Sequence, residues 1–369
     1  LWRFPWLTAE DLWFDEVFSV VLASQDLGEL IRRALGDQTN PPGFYLLLSG
    51  WMRLGSVDEW WIRTLPALAG TLTVPALVAL ARTVRCDWGT ALLAGLLAAI
   101  SPLLLAMSVE VRAYAPVALL ATISLTLAVR VATDPHAPRA ARDRGLLAAT
   151  DVALVMLHYF GALVVAARVL AALLVSRRAV NGADAPRIRR DAILTAIPAA
   201  LALAAGIAIV IMHASDRVGT NASWIPVADA TTALSFASQV VGTFGTRAGA
   251  IGVGALVLLA LILPFGRRAP TAREAAPWLL SAALLPVVIV LGASALTGRS
   301  LWVARYLIVV LPALLLLVAV IPAALPRSWR TAATTLLAGW AIAAGTLSTG
   351  LRQQKPAWSR IVPALTAGG

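Results

Sequence analysis

Gly145-Leu-Leu-Ala-Ala-Thr-Asp-Val-Ala-Leu-Val-Met-Leu-His-Tyr-Phe-Gly-Ala-Leu-Val-Val-Ala-Ala-Arg-Val-Leu-Ala-Ala-Leu-Leu-Val-Ser176 decides how the rest of the chain is threaded. A membrane-crossing helix needs about 20 mostly apolar residues. As one helix this stretch is too long, and as two it is short. His158-Tyr159-Phe160 is the place to turn, giving spans at about 145–159 and 160–176. Outward from that pair, further spans read at about 61–82, 88–107, 112–131, 190–212, 248–266, 276–296, 302–324 and 330–350. The split puts four arginine-bearing loops on one side: Arg130, Arg139, Arg142 and Arg144; Arg177, Arg178, Arg187, Arg189 and Arg190; Arg267, Arg268 and Arg273; Arg327 and Arg330. Short loops rich in Arg mark the cytoplasmic side. The start of the chain, the turn at 108–112, the loop 213–247 and the tail from 351 then face the other way.

Composition agrees. Hydrophobic residues make up 59% of the 369 and charged residues 13%, where a soluble domain has about a quarter charged. The fold class is an all-α polytopic membrane protein. A net charge of +11 would point to nucleic acid in a soluble chain. Here the arginines belong to interspan loops, so no nucleic-acid partner is expected. The single Cys86 allows no intrachain disulfide, and His136, His158 and His213 are too scattered for a His-rich zinc site. No phosphate-cradling glycine loop, dinucleotide fingerprint, His-Glu-x-x-His pair or nucleophile elbow is present, so no nucleotide cofactor is expected. High Ala, Val and Arg usage points to a GC-rich bacterial genome, hence to the bacterial inner (plasma) membrane.

Nine of the nineteen carboxylates fall in the first sixty residues, together with Trp2, Trp6, Trp13, Trp51, Trp60 and Trp61. Trp favours the headgroup level and carboxylates can move protons or hold metals, so residues 1–60 read as an external loop that forms part of an active site. Residues 41–54 are apolar but too short to cross, and counting them as a span would reverse the arginine asymmetry. They read as a helix lying in or dipping into the outer leaflet, with Pro41 and Pro42 in its first turn. Residues 16–35 read as a second interfacial helix, with Val17, Val20, Val21, Ser24, Leu27, Ile31 and Leu35 near one face. Residues 61–350 form a bundle of about ten helices, and 351–369 an external tail.

Candidate chemistry crowds the outer side. Asp15-Glu16 offers a general base and a second carboxylate, or simply two solvated acids favouring a helix N-terminus. Glu110, Arg112 and Tyr114 alternate just outside a span and can face the same cavity as Asp15, or form a surface pair of little energetic weight. Arg305-Tyr306 opens a span, and a guanidinium there suits a lipid phosphate, or snorkels to headgroups. Arg63 and His158-Tyr159 sit at the same level, as site residues or as an anchor and a turn. Asp151 and Arg168 lie within spans and are expected to face protein and pair across adjacent helices.

These residues, in this order, resemble the GT-C class of membrane glycosyltransferases, in particular the bacterial family-39-like branch related to protein O-mannosyltransferases and the lipid A aminoarabinose transferase. The run is Leu12-Trp13-Phe14-Asp15-Glu16, Asn40-Pro41-Pro42-Gly43-Phe44-Tyr45, Arg63-Thr-Leu-Pro66, Ser101-Pro102, Glu110-Val-Arg112-Ala-Tyr114, His158-Tyr159-Phe160, Arg305-Tyr306 and Lys355-Pro-Ala-Trp358. The resemblance implies a GT-C-like bundle with interfacial helices in its first external loop. It also implies a polyprenyl-phosphate-linked sugar as donor, membrane lipid around it, and an unknown acceptor (protein, lipid or glycan). Asp15 would be the general base of an inverting hexosyl or pentosyl transfer, with Glu16 beside it. Glu16 and Glu110 would orient acceptor or metal, and Arg112 and Arg305 would hold the donor phosphate. Tyr114, Arg63, His158, Tyr159 and Tyr306 complete the implied substrate contacts, and a divalent metal ion on Asp15 and Glu110 is left open. Where Asn40 stands the family commonly has His or Lys. A first span before Leu1 and a soluble domain after the tail are also implied, so a full-length relative has about eleven spans or more.

Two rivals share these observations. A transporter or flippase of lipid-linked saccharide needs ionisable groups and broken helices near the midplane, where only Asp151 and Arg168 are clearly central. A polysaccharide polymerase or ligase needs a large Arg-rich external loop, and 213–247 holds only Arg217 and Arg247.

Overall fold

The computed structural model describes residues 7, 11–37, 40–178, 184–212, 225, 227–243, 247–262 and 270–350. The tail from 351, with the Lys355–Trp358 motif, lies outside them, as do Trp2, Trp6, His213 and, in the loop 213–247, residues 213–224, 226 and 244–246. Among the described residues every long regular element is helical, and no strand occurs.

Three short helices precede the first span: α1 (Phe14–Ala23), α2 (Leu27–Gly36) and α3 (Gly43–Leu54). The single helix expected over 16–35 is therefore two. Asp26 stops the first and starts the second, its carboxylate accepting the Glu29 N–H at 2.9 Å as an N-cap. Of the apolar face expected there, Val17, Val21, Leu27 and Ile31 lie open, with Phe14 and Phe18 beside them, while Val20 and Leu35 are partly buried. An open apolar face on short amphipathic helices suits the membrane interface.

The bundle follows: α4 (Glu59–Thr83), α5 (Trp88–Ile100), α6 (Pro102–Met107), α7 (Tyr114–Thr133), α8 (Ala140–Leu157), α9 (Gly161–Arg178) and α10 (Ala185–Met212). Then come α11 (Ala230–Val241), α12 (Arg247–Ile262), α13 (Pro270–Thr297), α14 (Leu311–Ala324) and α15 (Arg327–Gly350). Five of the described helical stretches are long and apolar enough to cross a membrane. The span expected over 88–107 is broken at Ser101-Pro102, because proline cannot continue the hydrogen-bond ladder and instead opens α6. The span expected over 302–324 starts late, with an irregular approach and a 3₁₀ turn over Tyr306–Val310 before α14. Helix α11, inside the loop 213–247, was not expected.

The turn at His158 is as the charge pattern requires. His158 is extended (φ −162°, ψ 132°) and α9 restarts at Gly161. A Cβ on Gly161 would sit 2.4 Å from the Leu154 carbonyl oxygen, so only glycine allows so tight a reversal.

Helix α14 is apolar all round and buried nearly all round, packed by α5, α12 and α13. Helix α10 packs on α8 and α9 and leaves Leu194, Ile197, Leu201, Ile207 and Ile211 open, the pattern of a lipid-facing span. Within the bundle Asp151 and Arg168 pair as expected. Arg168 Nε donates to Asp151 Oδ2 at 2.7 Å, Ser124 donates to Oδ1 at 2.6 Å, and Arg168 Nη1 reaches the Ala192 carbonyl at 3.1 Å. The arginine-bearing loop 130–144 is closed by Arg130–Asp143 (2.9 Å) and meets the 177–190 loop and the start of α10 through His136–Asp184 (3.0 Å) and Arg144–Asp191 (3.1 Å).

Candidate active site

At the other end of the bundle, turns from four parts of the chain converge. Helix α1 brings Asp15, the turn after α6 brings Glu110 and Arg112, the α8–α9 reversal brings His158, and the approach to α14 brings Arg305 and Tyr306. Arg305 Nη2 lies 3.4 Å from Asp15 Oδ2, with the two side chains 21% and 28% exposed. Three rings surround the same guanidinium: Trp13 at 5.0 Å, Tyr306 at 5.8 Å and Tyr114 at 5.9 Å from Cζ. Such cation–π contacts fix a flexible side chain while leaving its hydrogen-bonding edge available. Glu110 is 5% exposed and lies within electrostatic reach of Arg305 and Tyr114.

Behind the guanidinium the rings pack on one another. His158 lies 5.0 Å from Tyr306, 5.5 Å from Phe160 and 5.9 Å from Tyr114. Burial, then the Arg112 and Arg305 charges, push the imidazole down to about 3. It is a neutral ring here, with Nδ1 accepting the Phe160 N–H at 3.1 Å. Tyr159 turns away from this cluster and packs on Gly206 of α10, whose Cβ would sit 3.0 Å from its ring.

Arg112 is 7% exposed and mostly engaged within the protein. Its Nη1 donates to Ser19 Oγ at 3.0 Å and to the Asp15 carbonyl at 3.4 Å, and its Nη2 to Asn40 Oδ1 at 3.2 Å. It therefore ties α1 to the Glu110–Arg112 turn.

Glu16 and Arg63 lie behind the site rather than in it. Glu16 is fully buried. One carboxylate oxygen accepts the Val111 N–H at 2.8 Å and the other the Trp13 N–H at 3.2 Å. Arg63 Nε stands 3.7 Å from Glu16, while its Nη1 reaches Glu59 at 2.7 Å and the Leu7 carbonyl at 2.6 Å. These groups hold the first external helices onto α4 and the α6–α7 turn.

For the metal left open on Asp15 and Glu110, two features bear on the fit. Among the described residues no group of three His, Cys, Asp or Glu is placed to hold an ion, and the positive charge beside Asp15 is already a guanidinium. A groove of about 670 Å³ between α9 and α13 is lined by Leu170, Leu174, Leu280 and Leu284, with Arg178 as the one charged residue of its lining. It has no carboxylate and none of the groups above.

Asp37, Asn40 and Trp13 were not singled out for the site by sequence. Asp37 Oδ2 accepts the Tyr45 hydroxyl at 2.7 Å and Asn40 Nδ2 at 3.3 Å. Burial, then the Asp37 charge, push the Tyr45 phenol up, so it remains a donor.

Comparison with known proteins bears on the fold. Residues 39–186, less than half of the chain, match the family model described as dolichyl-phosphate-mannose-protein mannosyltransferase. None of the curated proteins matches in sequence. Among solved structures, ArnT from Cupriavidus metallidurans in the apo state superposes with a TM-score of 0.59 at 18% identity, over 91% of this chain and 60% of that one. The same protein bound to undecaprenyl phosphate gives 0.53 at 17%, over 92% and 61%. AglB from Archaeoglobus fulgidus, in complex with an inhibitory peptide and a dolichol-phosphate, gives 0.55 at 16%, over 91% and 51%. At these identities the likeness is one of fold. The family match and this fold together bear out the GT-C resemblance carried by the motifs. The chain spans about 60% of the length of the ArnT structures.

Proposed function

We propose that this chain is part of a glycosyltransferase that moves a hexose or pentose from a polyprenyl-phosphate donor to an acceptor hydroxyl, with inversion, at the outer face of a bacterial plasma membrane. One observation carries the reading: Arg305 and Asp15, far apart in sequence, meet at 3.4 Å in a half-open, ring-walled site. In the proposed reaction Asp15 accepts the acceptor's proton as its oxygen attacks the sugar's anomeric carbon. The bond from that carbon to the phosphate oxygen breaks, and the lipid phosphate leaves against Arg305. Attack and departure on opposite faces of the sugar invert the anomeric centre. A carboxylate base contributes about 10²–10⁴-fold and a fixed donor at developing charge about 10²–10³-fold.

Glu110, buried beside Arg305, would orient the acceptor. Residues 1–60 would form the external part of the site, 61–350 the bundle and 351–369 an external tail. The ArnT and AglB structures with polyprenyl phosphates support the donor class, and the arginine-bearing loops at the opposite end support the outer-face assignment. The transporter reading is weakened by the Asp151–Arg168 pair, both of whose carboxylate oxygens accept hydrogen bonds within the protein.

The test is product analysis. Protein in liposomes is given candidate polyprenyl-phosphate sugars and acceptors, and the product is read by mass spectrometry and by anomeric configuration. The expected result is transfer with inversion, reduced at least about 10²-fold by Arg305→Ala. Translocation of the lipid without transfer of its sugar would support the rival instead.

A further inference from the structure

An unbroken run of hydrogen bonds joins a carboxylate outside the reacting pair to the backbone of Asp15. Tyr45 Oη donates to Asp37 Oδ2 at 2.7 Å, and Asn40 Nδ2 donates to the same oxygen at 3.3 Å. Asn40 Oδ1 accepts Arg112 Nη2 at 3.2 Å. Arg112 Nη1 reaches Ser19 Oγ at 3.0 Å and the Asp15 carbonyl at 3.4 Å, and Ser19 Oγ donates to that carbonyl at 2.8 Å.

An amide has one accepting and one donating end, so its orientation is set by whichever neighbour is unambiguous. The Asp37 carboxylate only accepts. It draws the Asn40 NH₂ toward itself and leaves the Asn40 oxygen for the guanidinium. Arg112 only donates and so keeps the Asn40 oxygen, but without Asp37 the amide NH₂ loses its partner and Asn40 is held against Arg112 from one side alone. Arg112 and Ser19 are the side chains that reach the Asp15 carbonyl, and Arg112 also bonds Ser19. Arg305, proposed to hold the donor phosphate, touches Asp15 at 3.4 Å but is also held by three rings that the relay does not reach. We propose that Asp37 is a positioning residue for the general base Asp15, acting through Asn40 and Arg112, with the rings around Arg305 keeping the donor-phosphate contact largely in place. The inference rests on the glycosyl-transfer reading.

The test separates rate from donor binding in the full chain in liposomes. Binding is read with undecaprenyl phosphate alone, and turnover with the donor that supports wild-type transfer. Asp37→Ala is expected to lower kcat about tenfold with the lipid-phosphate Kd within about twofold, because a small displacement of a reacting group costs rate rather than ground-state affinity. Asp37→Asn, which keeps an accepting oxygen for Tyr45 and Asn40, should recover most of the rate. Asn40→Ala should match Asp37→Ala and reads the relay from its middle if Asp37→Ala folds poorly. The double variant should be no worse than the worse single one, as for residues acting as a unit. Wild-type kcat in Asp37→Ala, equal losses in kcat and lipid-phosphate binding, or additive single effects would overturn the inference alone. A wild-type protein that neither binds the lipid phosphate nor transfers sugar would overturn the function reading and this inference with it.

Discussion

Arg305 faces a carboxylate and three rings at once, and each contact asks for a planar guanidinium. Lysine keeps the charge but not the fork or the stacking. Arg305→Lys is therefore expected to weaken lipid-phosphate binding about tenfold or more, measured by titration in detergent, and equal binding would remove the fork argument. His158 makes a second residue-scale prediction. Its neutral form is favoured by folding, with the ordinary value near 6.5 and the folded one near 3. Above pH 6.5 both folded and unfolded states are neutral and His158 contributes no pH dependence. As pH falls below 6.5 the unfolded chain gains a proton that the folded one refuses, so stability declines down to about pH 3. At pH 5 the loss is about 2 kcal/mol. Thermal unfolding of His158→Phe should show a shallower decline between pH 7 and 5 than wild type. At this scale the sequence named Asp15, Glu110, Arg112, Tyr114, His158, Arg305 and Tyr306, which the structure gathers. It did not separate Asp15 from Glu16. Neighbours on a helix point about 100° apart, so one of an adjacent pair turns to the site while the other turns inward, and composition does not tell which. Arg63 was ambiguous for the same reason: a buried Arg–Glu tie and a phosphate clamp use the same residue types.

The α8–α9 reversal is the element on which the threading turns, and it was legible because two constraints met there. Length forbade one helix, and the arginine loops required an even crossing. Its tightness depends on Gly161. Gly161→Ala would force a methyl against the Leu154 carbonyl and should cost about 1–3 kcal/mol, read as a lower Tm. Because His158 sits in the same turn, transfer should fall with it. The missed breaks also carried sequence signals. Asp26 with Glu29 three residues on is a helix-start pattern, but the apolar face of 16–35 continues across it and hid the hinge. Ser101-Pro102 was quoted as a motif and not used as a breaker, because apolar length alone joined α5 to α6. Helix α11 is short and begins at a capped Asp229, whose carboxylate accepts the Thr232 N–H at 2.7 Å. Nothing in the apolar run length distinguished it from loop.

For the whole molecule, the charge separation reads as two ends with different work. One end holds arginine loops bound to one another by ion pairs; the other gathers Asp15, Glu110, Arg112 and Arg305. Between them the Asp151–Arg168 pair is closed. Removing one partner leaves a buried charge, so Asp151→Ala should destabilise by about 3–5 kcal/mol while protein that does fold keeps its rate per molecule. Asp151→Ala with Arg168→Leu should recover much of the loss. Loss of rate per folded molecule would instead give that pair a part in function. The bundle was legible from run length and arginine placement, which are set by the bilayer. The convergence of distant turns was not, since packing angles are fixed by side-chain fit rather than by composition.

The central claim is that Asp15 is the base of a sugar transfer. The most direct measurement is single-turnover transfer from a polyprenyl-phosphate sugar by purified wild-type and Asp15→Asn protein, with lipid-phosphate binding measured on the same samples. The account predicts a rate reduced at least about 10²-fold in Asp15→Asn with binding retained; transfer by Asp15→Asn at near the wild-type rate would contradict it.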